Sequence, residues 1–237
     1  DRQFNQRVKL SRFITFRSSS SHMLLPNFAL QNHAMKDFWN DRYGRAEYAY
    51  GKEPNVFFKE QIDQLQPGKI LLPAEGEGRN AVYAADKGWQ ASAYDWSENA
   101  YKKAMQLADE KKVNIDYQIG SLADLDLEPE SFDVLALIYV HFPNAIRTMN
   151  FERLTSFLKP GGSIILEGFS PNHLQYQAKQ PSVGGPKSDD FLYSIEDMKL
   201  HFDGYRFKTL KQEVISLDEG DCHVGRTEVV RMHAVIP

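Results

Sequence analysis

From Lys69 onward, short apolar runs alternate with amphipathic stretches, and this alternation restricts the chain to a small set of folds. Strands are read at 69–73 (KILLP), 90–94 (QASAY), 115–119 (IDYQI), 132–140 (FDVLALIYV) and 163–168 (SIILEG). The unbroken apolar run at 132–140 is of the kind buried on both faces of a parallel sheet. Between the strands, helices are expected from about Arg79 to Lys87, from 97 to 112 with Ser97 as the N-cap, and near 144–158. Two last strands, 205–216 and 224–236, are joined by the short turn LDEGDCH and must therefore run antiparallel.

Residues 71–80, LLPAEGEGRN, sharpen this picture. Gly76-Glu77-Gly78-Arg79-Asn80-Ala81 follows a strand, opens a helix and fits G-x-G-x-x-A, and Asp95 ends the next strand 19 positions after Gly76. That spacing matches an acid gripping a ribose diol beside the first βα turn, where open α/β sheets hold their ligands. The fold expected is α/β: a Rossmann-like, doubly wound, mostly parallel seven-stranded sheet ending in an antiparallel hairpin, with helices on both faces.

A nicotinamide dinucleotide and S-adenosylmethionine both carry adenosine, so Asp95 does not separate them. The acids of the turn do. A pyrophosphate docks on a helix N-terminus as an anion, and a carboxylate at Glu75 would repel it by about 1 to 4 kcal/mol at contact distance, depending on dielectric. S-adenosylmethionine has no phosphate and brings an ammonium and a sulfonium, which Glu75 favours. Glu77 reads as a solvent-facing acid favoured by the dipole of the first helical turn.

Composition agrees with one globular domain and a short appendage. The 237 residues are 42% hydrophobic and 12% aromatic, enough for one core. No apolar run reaches the roughly 20 residues that cross a bilayer. Residues 1–34 hold a surplus of four positive charges against a net charge of -4, so the rest carries about -8 and shows no basic patch for nucleic acid. Cys222 is the single cysteine, which excludes an intrachain disulfide and a cysteine metal cluster and suits a reducing cytoplasm. No metal site is expected.

The organisation follows from these features. Residues 1–34 form a basic, Ser-rich extension expected to be disordered or non-native, with Ser21-His22-Met23 resembling a cloning junction. A single domain spans 35–237: an aromatic N-terminal cap segment at 35–66 able to fold over the carboxyl edge of the sheet, a cofactor-binding core at 67–170, a Pro-, Gly- and Gln-rich lid-like loop at 171–192, and a C-terminal helix and hairpin at 193–237.

ILLPAEGEGRN, the acid in YDWS, FDVLALIYVHFP and LKPGGSIILEGF, in this order and spacing, resemble a class I S-adenosylmethionine-dependent methyltransferase. FWNDRYG, GEGRNA and LDEGDCHVG are similar to the tellurite-resistance-type and thiopurine-methyltransferase-like small bacterial proteins, from about Phe38 to Ile236. One departure stands out: many class I members carry an acid in the strand before the glycines, where this chain has Leu72 and Pro73, and Glu75 is expected to replace it.

The resemblance implies S-adenosyl-L-methionine as cofactor and S-adenosyl-L-homocysteine as product. It implies cofactor contacts from Glu75, Gly76, Gly78, Asn80, Asp95 and Trp96, and from Ser121, Leu122 and Ala123 after the third strand, with Asp124 standing in for a missing acid. Tyr50 and Tyr139 are further cofactor candidates, Tyr50 through cation–π attraction to the sulfonium.

On the acceptor side, His141 follows the fourth strand and is the candidate proton acceptor, its ordinary pKa being near neutral. Trp39, Tyr43, His173, His223 and Arg226 are candidate substrate contacts, with Glu219, His223 and Arg226 read as a compact polar group at the hairpin turn. The expected function is methyl transfer to a small-molecule acceptor, a thiol, chalcogen oxyanion or similar soft nucleophile, by a cytoplasmic monomer or homodimer. A non-catalytic nucleoside-binding module and an NAD-type oxidoreductase are the alternatives.

Overall fold

A computed structural model describes residues 26–237. In chain order its elements are α1 (Pro26–Tyr43), α2 (Val56–Ile62), β1 (Lys69–Pro73), α3 (Arg79–Asp86), β2 (Gln90–Asp95), α4 (Glu98–Lys111), β3 (Asp116–Ile119), β4 (Phe132–Ile138), α5 (Asn144–Thr155), β5 (Leu158–Phe169), α6 (His173–Lys179), α7 (Ile195–His201), β6 (Arg206–Glu219) and β7 (His223–Val235). The strands form one seven-stranded sheet in the order β3-β2-β1-β4-β5-β7-β6. Pairings from β3 across to β5 are parallel, and β7 runs antiparallel to both β5 and β6. Six strands therefore point one way and β7 alone opposes them.

Two apolar layers sandwich the sheet, as the continuous burial of β1 and β4 requires. One holds Leu71, Leu135, Leu137, Phe151, Phe202 and Met232, the other Phe57, Ile70, Leu72, Leu107, Val134 and Ile165. Helix α4 shows how sequence becomes element: the Ser97 hydroxyl accepts from Ala100 N, Glu98 sits in the first turn and Lys111 in the last, and Ala100, Ala104, Leu107 and Ala108 line the buried face.

Three expectations need correction. Helix α1 begins at Pro26, so nine residues assigned to the basic extension are helical; residues 1–25 lie outside the described residues. The lid-like stretch contains α6 and short 3-10 turns at Pro181–Val183 and Asp189–Phe191 rather than an irregular loop. Strand β4 stops at Ile138 because Tyr139 takes φ 55, a left-handed conformation that an extended strand does not contain.

Candidate functional site

The site is built where β1, β2 and β4 end, at the point where strand order reverses. After β1 the backbone turns through Ala74 (φ 52), Gly76 (φ 65) and Gly78 (φ 85), and α3 starts. A Cβ on Gly78 would lie 2.6 Å from the Ala104 Cβ, so this glycine lets α3 and α4 pack closely rather than making room for a ligand. A Cβ on Gly76 would lie 2.7 Å from the Tyr43 hydroxyl, so α1 closes directly over the turn. Trp39 stacks on Tyr43 at 5.6 Å, and Asn40 anchors the helix by accepting from the Ser97 hydroxyl at 3.0 Å.

Glu75 does not stand free in this turn. Its Oε1 accepts from the backbone N–H of Asn80 (2.7 Å) and Ala81 (2.8 Å), capping α3 from inside the loop. Burial pushes its carboxyl up to about 7. Glu77 is not a solvent-facing helix charge: it is 4% exposed, and its Oε1 accepts from Lys103 Nζ at 2.7 Å. Burial raises its carboxyl, against the Lys103 ammonium and the backbone N–H groups of Ala49 and Tyr50. Asn80 is also committed, its Oδ1 accepting from Asn55 N at 3.0 Å.

Asp95 is buried at the end of β2, where Oδ2 accepts from Gly76 N (3.1 Å) and Oδ1 from Ser97 N (2.9 Å). Burial pushes the carboxyl up to about 6, against the backbone N–H groups of Ser97, Gly76 and Trp96. Half-buried Trp96 follows it. Ser121 and Leu122 are half-buried in the turn after β3, which also contains Ala123. Asp124 folds back on Ser121, accepting from its N–H and hydroxyl, so it caps its own turn instead of reaching outward.

Glu75, Glu77 and Asp95 thus surround the glycine turn with Lys103 as the one cation paired into it; Arg79, the next residue along, is paired with Glu219 at 3.0 Å. Buried acids gathered around this turn suit a ligand with a cationic end and oppose a pyrophosphate.

Beyond β4 and β5 the wall becomes aromatic. His141 lies between Phe169 (5.6 Å) and Tyr193 (5.1 Å), both nearly parallel to it. Its Nδ1 is 2.8 Å from the Phe191 carbonyl, and its Nε2 is buried with no partner. Burial lowers its pKa to about 3, so the ring is neutral, Nδ1–H donates to the carbonyl, and Nε2 presents a lone pair. Tyr139 donates to Glu167 Oε1 at 2.7 Å, and its ring meets His223 at 4.6 Å. Tyr50 packs on the other side of His223 at 4.5 Å.

The hairpin residues separate. His223 is 4% exposed, with Nδ1 3.1 Å from Glu219 Oε2, while Arg226 points to solvent from the opposite face of β7. The expected compact group of Glu219, His223 and Arg226 is therefore a buried pair plus an outlier. His173 is fully buried, with Nδ1 2.6 Å from Thr227 Oγ1 and Nε2 3.1 Å from the Gly184 carbonyl. With both ring nitrogens occupied, it braces the 171–192 segment against β7.

Sequence reading missed a second layer. Glu167, 0% exposed in β5, receives Asn55 Nδ2, the Tyr139 hydroxyl and Arg231 Nε. A single acid in the apolar strand SIILEGF was the available signal, since a charge there must be paired. Among the described residues, no group of three or more His, Cys, Asp or Glu could hold a metal ion, and no helix is long and apolar enough to cross a membrane.

Residues 70–162 match a protein family described as a methyltransferase domain. Among solved structures, the fold is similar to TehB from Haemophilus influenzae, at 14% identity over 85% of this chain and 67% of that one, with a TM-score of 0.64. It is similar to magnesium protoporphyrin IX methyltransferase from Synechocystis PCC 6803, solved with bound SAH, at 18% identity over 87% and 100%, with a TM-score of 0.63. A structure described under the conversion of a disulfide bond into a thioacetal group during echinomycin biosynthesis is similar at 17% identity over 85% and 92%, with a TM-score of 0.64. At such identities the structural likeness speaks for the fold. The sequence matches none of the curated proteins compared. The chain carries a methyltransferase domain. The matched residues include the glycine turn and Asp95, and the acids of that turn fit a ligand with a cationic end.

Proposed function

We propose that this methyltransferase acts on a small-molecule acceptor with a soft nucleophile, of the thiol or heteroaromatic N–H kind, with His141 as the residue that orients it. The observation that carries this reading is the buried, unpartnered Nε2 of His141 at the carboxyl end of β4. When bound, S-adenosylmethionine supplies a methyl group on a sulfonium; Gly76, Asp95, Trp96, Ser121, Leu122 and Tyr50 are the residues proposed to hold it.

Methyl transfer from a sulfonium neutralises charge, so alignment and exclusion of water are the main demands on the protein. The walls of Tyr139, Phe169 and Tyr193 supply the exclusion. Full proton transfer from a thiol near 8.5 to an imidazole near 3 would cost roughly 7 kcal/mol. His141 therefore accepts a hydrogen bond from the acceptor in the ground state and receives its proton only as the nucleophile gains the methyl group. An alcohol, far less acidic, lies beyond the reach of so weak a base. A chalcogen oxyanion, an acceptor type that the fold resemblance also suggests, has to approach the Nε2 lone pair in a protonated form.

Calorimetric titration with S-adenosylhomocysteine, followed by methyl-transfer assays on aromatic thiols, heteroaromatic N–H compounds, selenite, tellurite and alcohols, tests the reading. Binding with turnover on thiols or N–H acceptors is expected. Turnover confined to alcohols would overturn the acceptor class, and absence of cofactor binding would overturn the whole.

A further inference from the structure

A groove of about 600 Å³ runs between α1 and the lid, lined by Arg42, Leu174, Gln177, Ala178, Gly185 and Lys187 among others. Its volume lies within the range of small-ligand sites. Its charge is one-sided: the lining contains two cations and no carboxylate, on a chain whose net charge is -4. Neither Arg42 nor Lys187 forms an ion pair among the described residues. Arg42 is also pre-positioned, lying over the Phe38 and Trp39 rings at 4.7 and 5.2 Å while donating to the Tyr50 hydroxyl at 2.8 Å.

The groove lies one backbone layer from the aromatic wall. A Cβ on Gly185 would meet the Phe169 ring at 2.7 Å and His173 Nε2 at 2.6 Å, and one on Gly184 would meet His223 Cδ2 at 2.9 Å. Both glycines have positive φ, 68 and 78, so the thin partition depends on their lacking a side chain. Tyr50 connects the two sides, taking the Arg42 guanidinium on its hydroxyl and packing its ring on His223.

We infer that this groove binds a small organic anion, its carboxylate held by Arg42 and Lys187 and its apolar body lying along Leu174, Ala178 and Pro181. Resting on the methyl-transfer reading, this anion lies across the Gly184–Gly185 partition from the acceptor wall, so it is a ligand separate from the acceptor and is coupled to that wall through Tyr50. Inorganic oxyanions lack the body that the apolar lining contacts, and neutral molecules lack the charge.

The test uses the whole chain and two probe pairs, 3-phenylpropionate against its amide and hexanoate against its amide, titrated by NMR with and without S-adenosylhomocysteine. The acids are expected to bind at least tenfold more tightly than the amides and to weaken as salt is raised. Arg42→Gln and Lys187→Gln should each weaken the acids several-fold while leaving the amides unchanged, and Lys111→Gln, on α4, should change neither. Lys187 is exposed, so its variant keeps the test open if Arg42→Gln misfolds. Equal affinity for acid and amide, no saturable binding of the acids, or wild-type affinity in Lys187→Gln would each overturn the inference. Failure of S-adenosylhomocysteine to bind would instead strike the methyl-transfer reading, and the acid titrations without it would still decide the groove.

Discussion

Arg79 and Glu219, 140 positions apart in the chain, meet through Nη2 and Oε2 at 3.0 Å. Arg79 also donates to the Tyr50 carbonyl at 3.1 Å, and Glu219 receives Asn55 Nδ2 at 3.0 Å and His223 at 3.1 Å. One pair thus ties the glycine turn, the N-terminal segment and the hairpin tip together. Burial alone would raise the Glu219 carboxyl, but the Arg79 guanidinium and His223 more than offset it and hold it at about 2.

Glu219→Gln leaves a buried guanidinium without its counter-charge and is expected to cost roughly 3 kcal/mol, read from urea unfolding. The pH dependence has a definite sign: the depressed carboxyl stabilises the fold above about 4.5 and that contribution is lost as pH falls toward about 2. The variant should therefore show a shallower acid limb than the wild type. An identical limb would show that the pair is not coupled to folding.

Glu75 has the opposite sign. Its carboxyl is raised to about 7, so its contribution is present below about 4.5 and is lost as pH rises through 7. Glu75→Gln keeps an acceptor for the α3 cap and should flatten that decline, leaving the smaller one due to Asp95. Glu75→Ala removes the cap and should cost about 1 kcal/mol at pH 5. Equal stability of the two variants would refute the capping role.

Gly76→Ala introduces a Cβ at φ 65 and 2.7 Å from the Tyr43 hydroxyl. About 1 kcal/mol of backbone strain and displacement of α1 are expected. S-adenosylhomocysteine affinity should fall at least tenfold by calorimetry. Adding Tyr43→Phe should recover the steric part and leave the strain. No recovery would mean that the hydroxyl and the glycine are not neighbours in solution.

His141→Asn should lower kcat roughly 100-fold through lost alignment while leaving S-adenosylhomocysteine affinity unchanged. In the wild type, kcat should show no inflection near 6.5, because His141 titrates at about 3. An inflection near 6.5 that disappears in the variant would assign His141 a stronger basicity than its burial permits.

The sheet was legible because its signals are local. The β1 bounds of 69–73 are those read from KILLP, and the end of β2 at Asp95 follows from one polar residue closing an apolar run. Ser97 is the cap its residue type suggests. What escaped depends on distant partners: Glu167 takes Asn55 from 112 positions away and Arg231 from 64, and no local pattern carries that pairing. His223 reads from LDEGDCH as part of a polar turn group, yet its pairing with Glu219 across the β6–β7 end turns it inward against Tyr50 and Tyr139. Spacing alone places the Glu75 acid beside the glycines as a ligand group, while the backbone N–H groups it caps become visible only once α3 is placed.

The insertion of β7 between β5 and β6 also sets an order of assembly. As the chain leaves the ribosome, β5 and β6 emerge before β7, and neither has β7 beside it until residues 223–235 follow. Until then β5 presents an unpaired edge of buried apolar residues, the kind of nascent surface that recruits chaperones or sticks to another copy. His223 and Thr227, both on β7, join their partners only in that last event. The wall proposed to face the acceptor is therefore completed after the turn proposed to hold the cofactor.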